Sequence, residues 1–214
     1  MDSSVEHLQN CIWFSHILHK SGITSAQARN KLKNEQSLAA IVSKTPQVLV
    51  ELFAGPEAKT KRLLDCLKQY PPDYFRASAA AGHDRGIFGV SVLDPDYPGH
   101  LESTCCPPAV LYCRGTVYNQ IMAAAYRVTI VGTRTPTAYG QMVARKIAGD
   151  LAGHGVVIIS GLARGIDTIA HQAALEHHGL TLAVVGNGPD IVYPSENGSL
   201  MDSIASHGLI VSEY

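Results

Sequence analysis

The chain has 214 residues, of which 46% are hydrophobic and 16% charged, and this composition excludes a disordered or low-complexity polypeptide. Its 17 Lys and Arg residues against 18 Asp and Glu residues give a formal net charge of −1, so any nucleic-acid site must be local. Five cysteines without a CxxC pair predict neither a disulfide framework nor a metal site, and no run of about 20 apolar residues predicts a membrane span. We expect a soluble, cytoplasmic protein without metal, cofactor or membrane association.

The first third of the chain has apolar residues at helical spacing, between residues 5 and 70. Breaks fall at Gly22, at Thr45-Pro46 and at Gly55-Pro56, where Thr45 resembles an N-cap followed by proline at the first helical position. This pattern predicts a small all-α domain over residues 1–75. A shift to prolines and small residues over 71–82 predicts a linker at which the helices end.

The remainder, residues 76–214, has the pattern of an α/β domain. Short β-branched and aromatic stretches come first, and beyond residue 126 apolar runs alternate regularly with amphipathic stretches. Such an order predicts a Rossmann-like parallel sheet with helices on both faces. We expect strands at 87–92, 110–113, 128–131, 156–159, 182–185 and 209–211, and helices at 138–151, 163–175 and 195–207.

A glycine-bearing turn follows each of three predicted strands, at residues 132–140, 160–167 and 186–194. Ligands of such sheets bind beyond the carboxyl ends of the strands, and glycine lets backbone amides approach an anion. Hydroxyl donors come from Thr133, Thr137 and Ser160. Each turn alone is equally well explained as a tight turn, but three together favour a phosphate site.

Arg134 and Arg164 occupy the same relative place in the first two turns, so both guanidinium groups can converge on phosphate oxygens. The alternative is that each pairs with a carboxylate such as Asp167 or Asp190. Asp167 is better placed to cap the following helix than to bind a ligand. Tyr139 is a candidate either for base stacking or for the core.

The common nucleotide-binding fingerprints are absent. No G-x-G-x-x-G follows the first strand of the regular part, no acidic residue ends the second, and no G-x-x-x-x-G-K-[ST] loop is present. We assign no catalytic residue and no metal ligand, and we interpret His154 and His171 as solvated or packed histidines.

The segments VGTRTPTAYG, SGLARGIDTIAHQAAL and VVGNGPDIVYPSEN, followed by GLIVSEY, closely resemble the DNA-processing protein A family, also called DprA or Smf. The resemblance extends over about residues 86–214 and includes LDPDYPGHL and PPAVLYCRG. Relatives continue beyond Tyr214 into a second half of the sheet. We therefore expect this chain to contain the first half of the DprA-type extended Rossmann fold, incomplete at its C-terminus and preceded by a domain similar to a sterile alpha motif.

The resemblance implies a non-enzymatic protein that binds single-stranded DNA during natural transformation and helps to load RecA onto it. It also implies a homodimer for the full-length family, with an interface built partly from the missing half. The residues that match the family's phosphate-binding turns are Gly132, Thr133, Arg134, Ser160, Gly161, Ala163, Arg164, Gly165, Ile166 and Asp167.

Two other functions are weighed. A Rossmann-like hydrolase or sensor of nucleotides or ribose phosphates would need a general acid or base, and only Asp167 and Asp190 lie near the turns. A scaffold that oligomerises through the helical domain would leave the paired arginines unexplained.

Overall fold

The computed structural model describes residues 2–32, 35, 37–53 and 55–214. They form two compact units that divide at Leu111, the second extending over Tyr112–Ser212. The domain boundary after residue 75 remains a prediction. Within the described ranges no helix has the length and apolar character needed to cross a bilayer.

The first unit is largely helical, as the apolar spacing predicts. Gly22, with φ of +67°, ends the first helix, Thr45 caps the fourth helix with Pro46 at its first position, and Pro56 directly precedes the fifth helix, so the three predicted breaks are confirmed. The helices are α1 (Ser3–Ser21), α2 (Ser25–Lys31), α3 (Leu38–Val42), α4 (Pro46–Leu52), α5 (Glu57–Gln69) and α6 (Arg76–Asp84).

Helix α1 supplies much of this unit's core, because Trp13, Phe14 and Ile17 are all buried. The Trp13 indole N–H donates a hydrogen bond to the carbonyl of Tyr70 at 3.0 Å, which satisfies the one polar group of that side chain. A long helix with a buried apolar stripe thus organises the shorter helices around it.

The prediction that the helices end at a linker over 71–82 is wrong. A 3₁₀ turn at Pro72–Phe75 leads directly into α6, whose alanine-rich sequence is a strong helix former and whose Ala79 is fully buried. The small residues of this segment are typical of a loop, but here they allow α6 to pack closely in the core. Strand β1 (Ile87–Ser91) then follows.

The second unit alternates strands and helices as predicted from β3 onward, and it also contains one helix, α7, that the sequence pattern did not predict. Its elements are β2 (Val110–Gly115, which begins in the first unit), α7 (Tyr118–Ala123), β3 (Arg127–Thr129), α8 (Ala138–Gly153), β4 (Val157–Ser160), α9 (Ile166–Glu176), β5 (Thr181–Val184), α10 (Gly198–His207) and β6 (Leu209–Ser212). The sheet order is β1-β2-β6-β5-β4-β3. Pairing is parallel from β3 to β6 and antiparallel between β2 and β6, so the sheet is mixed but mostly parallel.

Helices α8, α9 and α10 lie on one face of this sheet. Strands β3 to β6 are neighbours in chain order, so successive right-handed crossovers place every connecting helix on the same side. The helices pack there on Ile158, Ala183 and Ile210, which the register aligns on one face. Leu182 and Leu209, which lie on the opposite face, are buried as well, and the expectation that helices also cover that face stays a prediction. All three residues of β3 are exposed, because it is the last strand of the described sheet.

Candidate nucleic-acid interface

The first two glycine-bearing turns lie beside each other at the carboxyl edge of the sheet. Residues 130–137 connect β3 to α8, and residues 161–165 connect β4 to α9. Since β3 and β4 are parallel neighbours with Thr129 opposite Ile159, both turns leave the sheet at the same edge. The structure thus brings together the two segments that the sequence singles out.

Backbone contact locks the two turns together. The N–H of Ile166 donates to the carbonyl of Thr133 at 3.2 Å. Gly165 has φ of +80°, and a Cβ there would lie 2.3 Å from the Thr133 oxygen and 2.9 Å from the Arg134 Cα. A Cβ on Gly132 would lie 2.7 Å from the Ile166 side chain. Both glycines are needed for this approach, which fixes Arg134 and Arg164 on segments that touch.

The first turn keeps hydroxyl donors exposed. Thr137 caps α8, accepting the Gly140 N–H at 3.1 Å, and Thr133 accepts the Thr135 N–H at 3.2 Å. Each hydroxyl uses a lone pair in these bonds and keeps its own O–H for donation. Thr133 and Thr137 can therefore offer hydrogens to an oxyanion while they hold the turn in shape.

The second turn uses most of its polar groups internally. The Gly161 N–H donates to Asp167 at 3.1 Å, and the Ser160 hydroxyl donates to the Ile130 carbonyl at 2.6 Å. Asp167 and Ser160 are both buried. These bonds disfavour Ser160 and the Gly161 amide as phosphate donors, and Asp167 has a structural role, although the amide that it accepts precedes α9 rather than belonging to it.

The two arginines differ in their partners. Arg134 is exposed, and its guanidinium has neither an ion pair nor a hydrogen bond within the part of the chain that the structure describes. Arg164 is 61% exposed and forms an ion pair with Glu196 through Nε and through Nη2, the latter at 3.3 Å from Oε2. The alternative of carboxylate pairing therefore holds for Arg164, with a partner that sequence analysis did not identify.

Glu196 carries a negative charge beside the two turns. A hydrogen bond from its own backbone N–H, and then the Arg164 guanidinium, lower the pKa of its carboxyl group. It is therefore ionised at neutral pH and occupies the guanidinium face that a phosphate would use. No motif indicated this residue, because it lies 32 positions from Arg164 in a 3₁₀ turn at Ser195–Asn197.

The third turn supports the second rather than adding donors of its own. Asn197 is buried, and its amide donates to the carbonyl of Leu162 and to the hydroxyl of Thr168, both at 2.9 Å. Asn187 donates within its own turn to the Ile191 carbonyl at 2.6 Å. Asn197 thus ties the segment that follows the third turn to the second turn.

The remaining candidates fall on the same edge. Tyr139, in the first turn of α8, is 73% exposed, so the core alternative is wrong and base stacking remains a prediction. Ala163 is half-buried and accepts the Thr168 N–H and hydroxyl. Tyr193 is 62% exposed near Glu196 in the chain and is a second aromatic ring that sequence analysis did not consider for stacking.

The two histidines noted in the sequence have structural positions. His171 is fully buried and shares a 2.7 Å hydrogen bond with the Thr181 hydroxyl, and burial lowers the pKa of its imidazole to about 4. His154 is exposed at the end of α8 and contacts the Asp150 carbonyl. The packed and solvated interpretations are thus both confirmed.

The fold and this edge define a Rossmann-like α/β protein in which two interlocked turns expose guanidinium and hydroxyl groups at the carboxyl edge of the sheet. Residues 89–214 match the family model described as DNA recombination-mediator protein A. The chain belongs to this family, the DprA/Smf family.

Relatives with curated names agree. The DNA processing protein DprA of Bacillus subtilis is 35% identical over 166 residues, which cover 78% of this chain and 55% of the relative. Protein Smf of Synechocystis is 46% identical over 122 residues, or 56% of this chain and 31% of the relative. The chain thus spans from about a third to just over half of the length of these relatives.

Solved structures support the fold. The X-ray structure of DprA from Streptococcus pneumoniae superimposes with a TM-score of 0.73 and 28% identity, covering 94% of this chain and 67% of that one. A structure of DNA processing protein A from Helicobacter pylori, described for its single-stranded DNA binding mode, has a TM-score of 0.50 and 33% identity over 60% of this chain and 55% of that one.

Proposed function

We propose that this chain binds the sugar-phosphate backbone of single-stranded DNA across the two interlocked turns. The observation that best supports this proposal is the contact between the two turns, in which Gly165 lies against Thr133 and Arg134. A rigid contact between the segments that bear Arg134 and Arg164 fixes the spacing of the two backbone positions from which these side chains extend. Such preorganisation reduces the entropic cost of binding a flexible strand.

Side chains, rather than backbone amides, are the proposed phosphate donors. The Arg134 guanidinium can form a forked pair with one phosphate, and the hydroxyls of Thr133 and Thr137 can donate to the same or the next one. Arg164 binds a second phosphate by exchanging its carboxylate partner Glu196 for the ligand. Gly132, Gly161, Ala163 and Gly165 shape the surface, and Tyr139 offers a ring on which a base can stack.

The cellular role that we propose is that of a recombination mediator in natural transformation, which helps RecA to load on incoming DNA in the cytoplasm. The family description and the DNA-binding relative support this role. Homodimerisation and RecA contact belong to the same proposal. The hydrolase alternative loses support from one of its two candidate bases, because the Asp167 carboxylate already accepts the Gly161 N–H.

Salt-dependent binding of an oligothymidylate, followed by fluorescence anisotropy, tests the site. Each phosphate neutralised on a single strand contributes about −0.7 to the slope of log K against log salt concentration. The double variant R134A/R164A should lower affinity by roughly thirtyfold and flatten the slope by about 1.4, corresponding to two phosphate contacts.

The matched control is R145A. Arg145 is also exposed and ion-paired, with Glu176, the last residue of α9. Because α9 begins at the turns, its far end lies about 16 Å from them. R145A removes one positive charge, as each single substitution at the turns does, and should leave both affinity and slope near their original values. Equal slopes for the double variant and the unmodified chain would refute phosphate binding at these turns.

A further inference from the structure

A cluster of possible metal ligands lies in the first unit, outside the site described above. His7 Nε2 lies 3.0 Å from Asp94 Oδ2 and 3.6 Å from Cys11 Sγ, and all three ligand atoms lie within 4.8 Å of one another. Cys11 is buried, while His7 and Asp94 are half-buried. Sequence analysis assigned no metal ligand because Asp94 is 83 positions from Cys11.

The local structure builds this cluster from two elements. His7 and Cys11 are one turn apart on α1, so their side chains leave the same face of the helix. Asp94 comes from the turn after β1, where its carboxylate accepts the Ser91 N–H at 2.6 Å. On β1, a Cβ at Gly89 would lie 2.7 Å from the Cys11 Sγ, so glycine admits the thiol here.

The spacing fits a single ion. Around tetrahedral Zn²⁺, a nitrogen and an oxygen ligand lie about 3.3 Å apart, and a nitrogen and a sulfur ligand about 3.6 Å apart. The observed distances of 3.0 and 3.6 Å therefore need shifts of only a few tenths of an ångström. The imidazole also forms a hydrogen bond with the backbone of Gly89, the kind of outer contact that orients a metal-bound histidine.

We propose that His7, Cys11 and Asp94 bind one Zn²⁺ ion, which ties α1 to the turn after β1. A thiolate and an imidazole favour Zn²⁺ over Mg²⁺ or Ca²⁺, which prefer oxygen ligands. Three protein ligands leave the fourth position to water. On binding, the Cys11 thiol releases its proton to solvent and the sulfur becomes a thiolate ligand.

Co²⁺ titration of the metal-stripped chain tests the site, because Co²⁺ bound by a thiolate gives a sulfur-to-cobalt charge-transfer band. The titration uses a C105S/C106S background, since these two adjacent exposed thiols would bind added metal themselves. We expect one Co²⁺ per chain, displaced by Zn²⁺, and binding that is tenfold or more weaker in C11S, H7Q and D94N. The control C66S removes a half-buried cysteine of α5 and should bind normally.

Circular dichroism in the presence of a chelator shows which variants remain folded without metal. The Co²⁺ affinity of any ligand variant that remains folded then tests the proposed site. Zn²⁺ should raise the Tm of the background chain and not that of the ligand variants. If all three ligand variants unfold, alkylation of the C105S/C106S chain provides the test: Zn²⁺ should protect Cys11, but not Cys66, from alkylation. Absence of the charge-transfer band, binding unchanged in C11S, or equal alkylation of the two thiols would overturn the proposal.

Discussion

The two interlocked turns have similar sequences but opposite electrostatic states. In the first, Arg134 has no partner among the described residues and two hydroxyls keep their hydrogens. In the second, Asp167 holds the Gly161 amide and Glu196 holds Arg164. The same arrangement of glycine and arginine therefore yields one open turn and one that already contains its own anionic partners.

The helices that follow the turns differ in the same sense. Over its length α8 buries only alanine and glycine, whereas α9 buries Asp167 and His171 as well. Buried polar groups need partners and respond to pH, whereas buried alanines do not. The first turn is thus followed by a helix that buries only apolar residues, and its arginine is unpaired among the described residues. The second turn is followed by a helix that buries polar residues, and its arginine is neutralised by Glu196.

The largest effect should come from breaking the contact between the turns. G165A would combine a positive φ with a Cβ 2.3 Å from the Thr133 oxygen, so we expect the free energy of unfolding to fall by about 3 kcal/mol or more. Urea denaturation measures it. The control G155A has a similar φ of +78° but nothing within 4 Å of the added Cβ, and should cost only about 1 kcal/mol. Equal losses would show that the contact contributes nothing.

Acid should destabilise the chain through His171, the buried histidine of α9. Burial lowers the pKa of His171 to about 4 from 6.5, so the unfolded chain binds more protons between these values and stability falls as pH drops below about 6.5. The loss by pH 5 is about 2 kcal/mol.

The variant H171Q removes this titration, so its unfolding free energy should fall less between pH 7 and pH 5 than that of the unmodified chain. H154Q, at an exposed position directly after α8, should retain the full dependence. Parallel pH profiles for the unmodified chain and H171Q would argue against a neutral buried imidazole.

Single arginine variants should separate the two turns by affinity. R134A removes a cation that is available to phosphate, and we expect affinity for oligothymidylate to fall about tenfold. R164A also removes a cation, but one that must first leave Glu196, so about a threefold loss is expected. Anisotropy titrations at one salt concentration measure both. A larger loss in R164A would reverse the assigned order.

Residues near these turns show which features a sequence can predict. The sequence predicts functional turns at Gly132 and Gly165 because glycine lets backbone amides approach an anion, whereas the structure shows these two glycines admitting the neighbouring turn instead. The alternating pattern likewise predicted the strands and helices of the second unit apart from the short helix α7. Glu196 was not identified, because an exposed ion pair depends on how a distant loop returns and leaves no periodicity in the chain.

The exposed strand β3 and the metal cluster illustrate the same limit. Apolar runs predicted that β3 would be a strand, but exposure depends on what covers it, and the order of the strands is a tertiary property. His7 and Cys11 are visible as a one-turn pair, yet their meeting with Asp94 requires the packing of α1 against β1. Composition and spacing predict helices and strands, whereas contacts between residues far apart in the sequence can be identified only from the three-dimensional structure.

The smallest expected effect tests whether Glu196 restrains the second turn. Its carboxylate is ionised and occupies the Arg164 guanidinium, so phosphate must compete with it. E196Q keeps the shape of the side chain but removes the charge, and affinity for oligothymidylate should rise about threefold, an increase consistent with the modest strength of an exposed ion pair. The gain should disappear in R164A, where there is no guanidinium to release. E176Q, which discharges the partner of Arg145, should have no effect on binding. If E196Q instead bound DNA more weakly, Glu196 would position Arg164 for the ligand rather than compete with it, and the second turn would be open in the same way as the first.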